Sequence, residues 1–348
     1  MPELKSLKET LVAIHNVNMS DENQPLALPP DWWMVADALR GWVNGMVIAA
    51  GQANHGKSST VTNLALALME TNPDMVVLDF SLDDDKRNRV SRYVAAVSHA
   101  RINDVLFEHR TKKENPTVWS AIHQAYHRLS ALDGRLYILD AGDIIPESVS
   151  DRGGGIPTIE AISQIVLEFR NRHSGPMLIL LDSLNEVGAR IPGDELDIQR
   201  YVVQRLSVLA NQHNVRILAT AHLRKDVNWK NPSIDDVYGG SVIKYFAKVV
   251  TFIYNESKEK GGAENASLAE PLPPHLDLYA HSGSQGKTIY IPVLAWIWKK
   301  SKVSDFDGRL FFRYIPYSNT VIPISVDTEV QRYNSLINED LQSNKQGR

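Results

Sequence analysis

Cysteine is absent from all 348 residues. That excludes disulfides, cysteine-ligated zinc and thiol catalysis, and it fits a reducing compartment. No apolar run approaches the length needed to span a bilayer. The opening residues, Met1-Pro2-Glu3-Leu4-Lys5, lack the apolar core of a secretory signal. A surplus of positive charge is also missing. The chain has 37 Lys and Arg against 41 Asp and Glu, a net charge of -4. No global basic field therefore advertises nucleic acid, although phosphate contacts need only a local patch. No internal repeat is visible. With 43% hydrophobic and 22% charged residues, the composition is that of an ordinary globular protein. A cytoplasmic protein is expected, with one large domain plus additions or two small domains.

Against these absences stands one dense stretch, Gly51-Gln52-Ala53-Asn54-His55-Gly56-Lys57-Ser58. It fits G-x-x-x-x-G-K-[ST] at every fixed position, between a strand-like run, Met46 to Ala50, and a helical run, Ser59 to Met69. In that setting the loop's N–H groups cradle phosphate oxygens, and the helix N-terminus favours negative charge. Lys57 is placed to reach the β- and γ-phosphates and the Ser58 hydroxyl to ligate Mg²⁺, which makes ATP and Mg²⁺ the expected ligands. The loop as a whole, with Ser59, forms the candidate nucleotide cradle.

The rest of the chain gives that loop a context. Leu4, Leu7, Leu11 and Ile14 lie at helical spacing, which predicts a short amphipathic helix over 3–16. A linker follows, to Pro30. The helix is expected to bury its stripe on its own domain or on a neighbouring subunit. Further strands are expected at Met75–Phe80, Leu136–Leu139, Met177–Leu181, Val215–Ala221 and Val249–Tyr254. Helices are expected at Arg87–Ala100, Pro116–Leu132 (capped by Asn115), Thr158–Arg170 and Leu196–His213. Asp143–Pro157, with three consecutive glycines, reads as a mobile loop. The stretch from Asn255 to about 288 reads as an exposed insertion. Ile289–Lys299 and Leu310–Tyr314 look like antiparallel strands, and the tail from 326 is polar. Alternation of strand and helix through 45–254 predicts a mostly parallel sheet flanked by helices, with an antiparallel C-terminal extension. Ligands bind such sheets at the strand C-terminal ends.

The remaining chemical candidates fall largely at those ends. Asp182 closes the apolar run from Met177 and is the expected magnesium partner of Ser58. Asp83 is the first choice for positioning the attacking water, with Asp84 and Glu186 as alternatives. His222 follows a strand and could sense the γ-phosphate. Arg224, Lys225 and Lys230, with Trp229, make a basic loop able to contact a phosphate backbone and stack a base. Lys300 and Lys302 could complete the site of a neighbouring subunit, as cations do in ring-shaped ATPases. A second partial phosphate-loop pattern, Gly283 to Thr288, is a decoy, since His281 stands where the first glycine belongs and a strand pattern follows.

Taken as a series, these motifs resemble the ATPase domain of DnaB-type replicative helicases, including their phage and mitochondrial primase-helicase branch, over roughly residues 30 to 325. Besides the phosphate loop, Val77-Leu78-Asp79-Phe80-Ser81-Leu82-Asp83 is similar to the family strand ending in Ser-Leu-Glu. Leu180-Leu181-Asp182-Ser183-Leu184 is similar to its magnesium strand, and Ala219-Thr220-Ala221-His222-Leu223 to its sensor strand. Asp236 to Ile243 resembles the segment leading into a short helix, and Trp298-Lys299-Lys300-Ser301-Lys302 the trans-acting element. The resemblance implies a RecA-like fold and a homo-oligomer, most simply a hexamer, with ATP held between subunits. It also implies single-stranded DNA in a central channel, loops 187–194 and 224–235 lining it (Arg190, Arg224, Lys225, Lys230), and a replication partner protein. It further implies that the N-terminal helix docks on the neighbouring protomer. This chain has Asp83 where the family has Glu, Lys302 where it has an arginine finger, and Tyr238 in place of an arginine. A RecA- or KaiC-like regulatory or assembly ATPase that does not translocate is the alternative reading.

Overall fold

The computed structural model describes residues 6–19, 25–145, 155–224, 227, 232–255, 280–282, 288–290 and 293–324. Nine strands form one sheet: β1 (Gly45–Ala50), β2 (Val76–Ser81), β3 (Leu136–Asp140), β4 (Met177–Asp182), β5 (Arg216–Ala221), β6 (Val249–Asn255), β9 (Val293–Ser301), β10 (Arg309–Ile315) and β11 (Thr320–Pro323). A separate antiparallel ribbon pairs β7 (Ala280–Ser282) with β8 (Thr288–Tyr290). Across the main sheet the order is β11-β10-β9-β6-β1-β5-β4-β2-β3. The six strands from β6 to β3 are parallel to one another, and β9, β10 and β11 add antiparallel pairings at the β6 edge.

The uninterrupted apolar runs explain the parallel half. β1, β2, β4 and β5 are buried at every position, as expected for strands covered on both faces. One face packs against α9 (Ile159–Arg172) and α10 (Glu195–Gln212), through Ile162, Val166, Val202 and Leu206. The other packs against α2 (Trp33–Leu39) and α3 (Lys57–Thr71), where Trp32, Trp42, Trp296, Trp298 and Phe312 fill the layer with rings. A smaller core joins α4 (Lys86–Ser98), α5 (Ile102–Leu106) and α7 (Pro116–Ser130). The local start signals operate: Asn115 Oδ1 accepts from the Val118 N–H at 3.2 Å, Thr158 from Ala161 at 3.4 Å, and Asp194 from Asp197 at 2.9 Å, each satisfying a helix N-terminal donor.

The expected strands and helices are present, with ends shifted by a residue or two. Other expectations need correction. α1 runs over Leu7–Met19, and its apolar residues are not buried on its own domain: Leu7, Leu11 and Ile14 are 74%, 58% and 52% exposed. Asp143 does not open a loop; it lies in α8 (Ala141–Ile144), where it and Asp140 cap each other. Most of the glycine-rich stretch after it falls outside the described residues. Ile289 belongs to β8, separate from the long strand β9. Five other helices and strands among the described residues are not expected from the sequence: α2, α5, α6 (Glu108–Glu114), β7 and β11. The decoy is followed by a strand, β8, and no helix. Most of the 255–288 insertion, and the tail after Ile324, lie outside the described residues.

Candidate nucleotide site

Four neighbouring parallel strands bring the candidates to one end of the sheet. Register aligns Ala50 with Ala221, Leu181 with Ala219, and Ser81 with Asp182. The residues that follow β1, β5, β4 and β2 therefore stand in a row. Backbone bonds fix the row: the Gly51 N–H donates to the Ala221 carbonyl at 3.1 Å, and the Leu82 and Asp83 N–H groups donate to the Asp182 carbonyl at 2.6 and 3.2 Å.

The phosphate loop has the backbone that an anion cradle needs. Asn54 (φ 63°) and Gly56 (φ 91°) are left-handed, which turns consecutive N–H groups inward to make a nest. Gly56 is required twice over, because a Cβ there would also come within 3.0 Å of Leu294 and 3.4 Å of Tyr314. Lys57 is buried, and its Nζ donates to the carbonyls of Gly51 (2.9 Å) and Gln52 (2.8 Å). Burial pushes its ammonium down to about 8, against the pull of Asp182 and Asp83. Ala53 and Asn54 are exposed at the loop tip. His55 is buried and its Nδ1 accepts from the Asn255 N–H at 3.3 Å, which ties the loop to the end of β6. The Ser59 hydroxyl faces away, donating to Asn319 Oδ1 at 2.6 Å beside the Tyr314 hydroxyl at 3.3 Å. In this way the β10–β11 corner braces the first turn of α3.

Asp182 is buried and bonded on both oxygens, by the Thr220 hydroxyl on Oδ1 and Arg89 Nη1 on Oδ2 at 3.0 Å. Burial alone would raise its carboxyl; the Arg89 guanidinium, the Thr220 and Ser58 hydroxyls and Lys57 outweigh that and hold it below the usual range. It is thus an anion in contact with Ser58. A serine hydroxyl beside a carboxylate, next to an N–H nest, is a donor set that suits a hard divalent cation bound with phosphate. The residues fit magnesium and a triphosphate.

The structure separates the three acidic residues after β2. Asp84 pairs with Arg92 at 2.8 Å, and Asp85 caps α4 by accepting from the Asn88 N–H at 2.7 Å. Asp83 alone of the three joins Glu186 and His222, with one ligating atom from each lying within 4.8 Å of the others. Burial and Lys57 hold the His222 imidazole below its ordinary value, despite the opposing carboxylates. The neutral imidazole, with one nitrogen donor and one acceptor, is thereby favoured. His222 is also fixed through its backbone: its N–H donates to Asn185 Oδ1 at 2.8 Å, and its carbonyl accepts from the Tyr238 N–H at 3.2 Å. Leu223 bridges to Val237. That segment leads directly into α11 (Gly240–Phe246).

Lys300 and Lys302 are elsewhere. β9 runs antiparallel to β6, pairing Lys300 with Val250, at the end of the sheet opposite the phosphate loop. Lys300 Nζ donates to the carbonyls of Lys244 and Ala247, the latter at 2.7 Å, and Lys302 Nζ to that of Tyr245 at 3.2 Å. Both therefore cap the C-terminus of α11, where cations are favoured. Both are engaged with α11 carbonyls and not with the phosphate loop of their own chain. Arg190 and Arg224 are exposed; Lys225, Trp229 and Lys230 lie outside the described residues.

Sequence reasoning misses one cluster. Asp79 is fully buried in the middle of β2. Arg89 of α4, also fully buried, binds it through Nε (2.7 Å) and Nη2 (3.0 Å), and the Tyr93 hydroxyl donates to it at 2.7 Å. A carboxylate inside the apolar run Val-Val-Leu-Asp-Phe is the available signal, since an unpaired buried charge would cost several kcal/mol.

Comparison with known proteins now decides the family. A sequence model described as the DnaB-like helicase C terminal domain matches residues 31–271. The chain belongs to the DnaB-like helicase C-terminal domain family. Among solved structures, one ATPase domain superimposes with a TM-score of 0.67 at 14% identity, covering 92% of this chain and 99% of that one. A DnaB-like replicative helicase, solved for its interactions with primase, gives 0.64 at 14% identity, covering 92% of this chain and 67% of that one. Both share the RecA-like fold. No curated protein matches by sequence.

Proposed function

We propose that this member of the family is an ATP-hydrolysing motor that works as a ring, most simply a hexamer, on single-stranded DNA. The observation that carries the reading is the row of Gly51–Ser58, His222, Asp182 and Asp83 on four adjacent parallel strand ends. Lys57 leaves its loop carbonyls for the β- and γ-phosphate oxygens. Ser58 and Asp182 hold magnesium, which neutralises charge on the phosphates when bound. Asp83 orients and deprotonates the attacking water, and Glu186 lies near enough to share that duty. His222 hydrogen-bonds near the terminal phosphate, and its backbone ties to Tyr238 and Val237 pass a change there to α11 and to the loop carrying Arg224, Lys225 and Lys230. That loop and Arg190 bind the DNA backbone.

The lysines at the far end of the sheet supply the missing cation. Burial together with Lys302 and Lys244 pushes Lys300 down to about 8, so the group is crowded by its own kind and is stabilised by an incoming anion. A head-to-tail contact places Lys300 and Lys302 of one copy at the terminal phosphate of the next, and such a contact closes into a ring. By analogy with the solved helicase studied with primase, a replication partner is expected to dock on the assembled ring.

A regulatory ATPase without translocation is favoured by a single observation, the engagement of both lysines with α11 of their own chain. ATPase rate measured with and without single-stranded DNA, at low and moderate salt, beside a mass measurement in ATP, separates the two. The motor reading predicts stimulation by DNA that weakens with salt, and a multimer. A rate indifferent to DNA, from a protein with no salt-sensitive DNA binding, contradicts it.

A further inference from the structure

Arg89 takes no part in the chemistry above, yet it touches the residue on which magnesium binding depends. Its guanidinium is fully buried and uses all three nitrogens. Two of them already form a complete bidentate pair with Asp79, and Tyr93 adds a third donor to that carboxylate. A pair serving the fold alone would end there. The remaining nitrogen, Nη1, instead crosses to Asp182 Oδ2 at 3.0 Å. On the other side, Thr220 of β5 holds Asp182 Oδ1. The carboxylate is therefore gripped from α4 on one side and β5 on the other, and the plane so fixed places it against Ser58.

We propose that Arg89 is a positioning residue for the magnesium pair: held by Asp79 and Tyr93, it fixes the orientation of Asp182. This rests on the assignment of Ser58 and Asp182 to magnesium. Arg89 touches neither nucleotide nor metal, so its loss leaves the phosphate cradle intact and weakens only what depends on Asp182. Residues that orient a metal ligand typically account for a 10- to 100-fold difference in metal affinity.

The test is binding of a fluorescent ATP analogue to the full chain, titrated with Mg²⁺ from an EDTA baseline. Arg89→Met combined with Asp79→Leu removes the buried pair as a unit, a change that folded proteins tolerate. The double variant is expected to bind the analogue in EDTA within about twofold of the parent, while needing roughly 10- to 100-fold more Mg²⁺ for its half-maximal response. Arg89→Lys, which keeps the charge but cannot fork to two carboxylates, is expected to shift in the same direction by less, and it decides the matter if the double variant does not fold. Asp182→Asn is the reference. If Asp182→Asn loses the Mg²⁺ response while both Arg89 variants keep the parent's, Arg89 has no positioning role. If Asp182→Asn itself keeps the parent's response, the magnesium assignment falls and this proposal with it.

Discussion

At the strand C-terminal end of the sheet, Lys57 sits among carboxylates: Asp83, Asp182 and, across His222, Glu186. At the opposite end Lys248, Lys300 and Lys302 are packed together around the C-terminus of α11, and their hydrogen-bond partners are backbone carbonyls and Asn44. Burial and the neighbouring cations Lys302 and Arg216 hold Lys248 below its ordinary value too. One end groups the phosphate loop with Lys57 and the candidate carboxylates, and the cations beside them, Arg89 and Arg92, are paired with Asp79, Asp182 and Asp84. The other has a surplus of cations and no phosphate loop. Under the proposed function, a single copy of the fold carries two incomplete halves of one site. On the proposed reading, the difference makes hydrolysis a property of a contact between copies, with the fold's polarity setting the direction of that contact.

Each end of the sheet can be disabled by a single substitution. The largest effect is expected from Lys57→Ala, which should lower the hydrolysis rate by at least ~10³-fold, comparable to losing the strongest electrostatic contact to a transition state. A steady-state phosphate-release assay at saturating ATP reads it. Next is Asp83→Asn, expected to cost about 10²- to 10⁴-fold in kcat as the loss of a general base does, with KM little changed. Glu186→Gln should cost less, and a larger loss there would transfer the base role to Glu186. Lys302→Ala should reduce kcat by about 10²-fold or more while leaving analogue binding to the isolated chain untouched. A loss of binding would instead make Lys302 a structural cap of α11.

The smallest effect is one of pH. Burial holds the Lys57 ammonium down to about 8, and a bound triphosphate favours the charged form. Binding is then coupled to proton uptake, so affinity should hold below pH 8 and fall as pH rises through and beyond it. An affinity flat from pH 7 to 9.5, measured by fluorescence titration, would mean that Lys57 keeps its charge before nucleotide binds.

Much of the candidate nucleotide site is legible in the sequence because its signals are local. The phosphate loop, its strand and its helix lie within about two dozen residues, and continuous apolar runs announce β4 and β5 and so place Asp182 and His222. The far end is legible only as a basic motif. Nothing near Lys300 in the chain says that its partners are the Lys244 and Ala247 carbonyls, some fifty positions earlier. The Arg89 cluster is hidden for a related reason. Lys86-Arg87-Asn88-Arg89 reads as a solvated helix face, and only the tertiary fold turns Arg89 inward onto Asp79 and Asp182. α5 and α6 are short, and α6 is almost wholly polar, so periodicity has little to act on. The exposed stripe of α1 shows the opposite limit: the amphipathic pattern identifies the helix, while the surface that would cover its apolar face is not found among the described residues of its own domain.

Whether each site is built from two copies is answered by mixing two inactive variants. Lys57→Ala retains the lysines of the far end, and Lys302→Ala retains the phosphate loop. Combined in equal amounts in the presence of ATP, they form some contacts in which both halves are intact, and the mixture is predicted to recover a measurable part of the parent's hydrolysis rate. A mixture as inactive as either variant alone, under conditions where the two co-assemble, would contradict the claim.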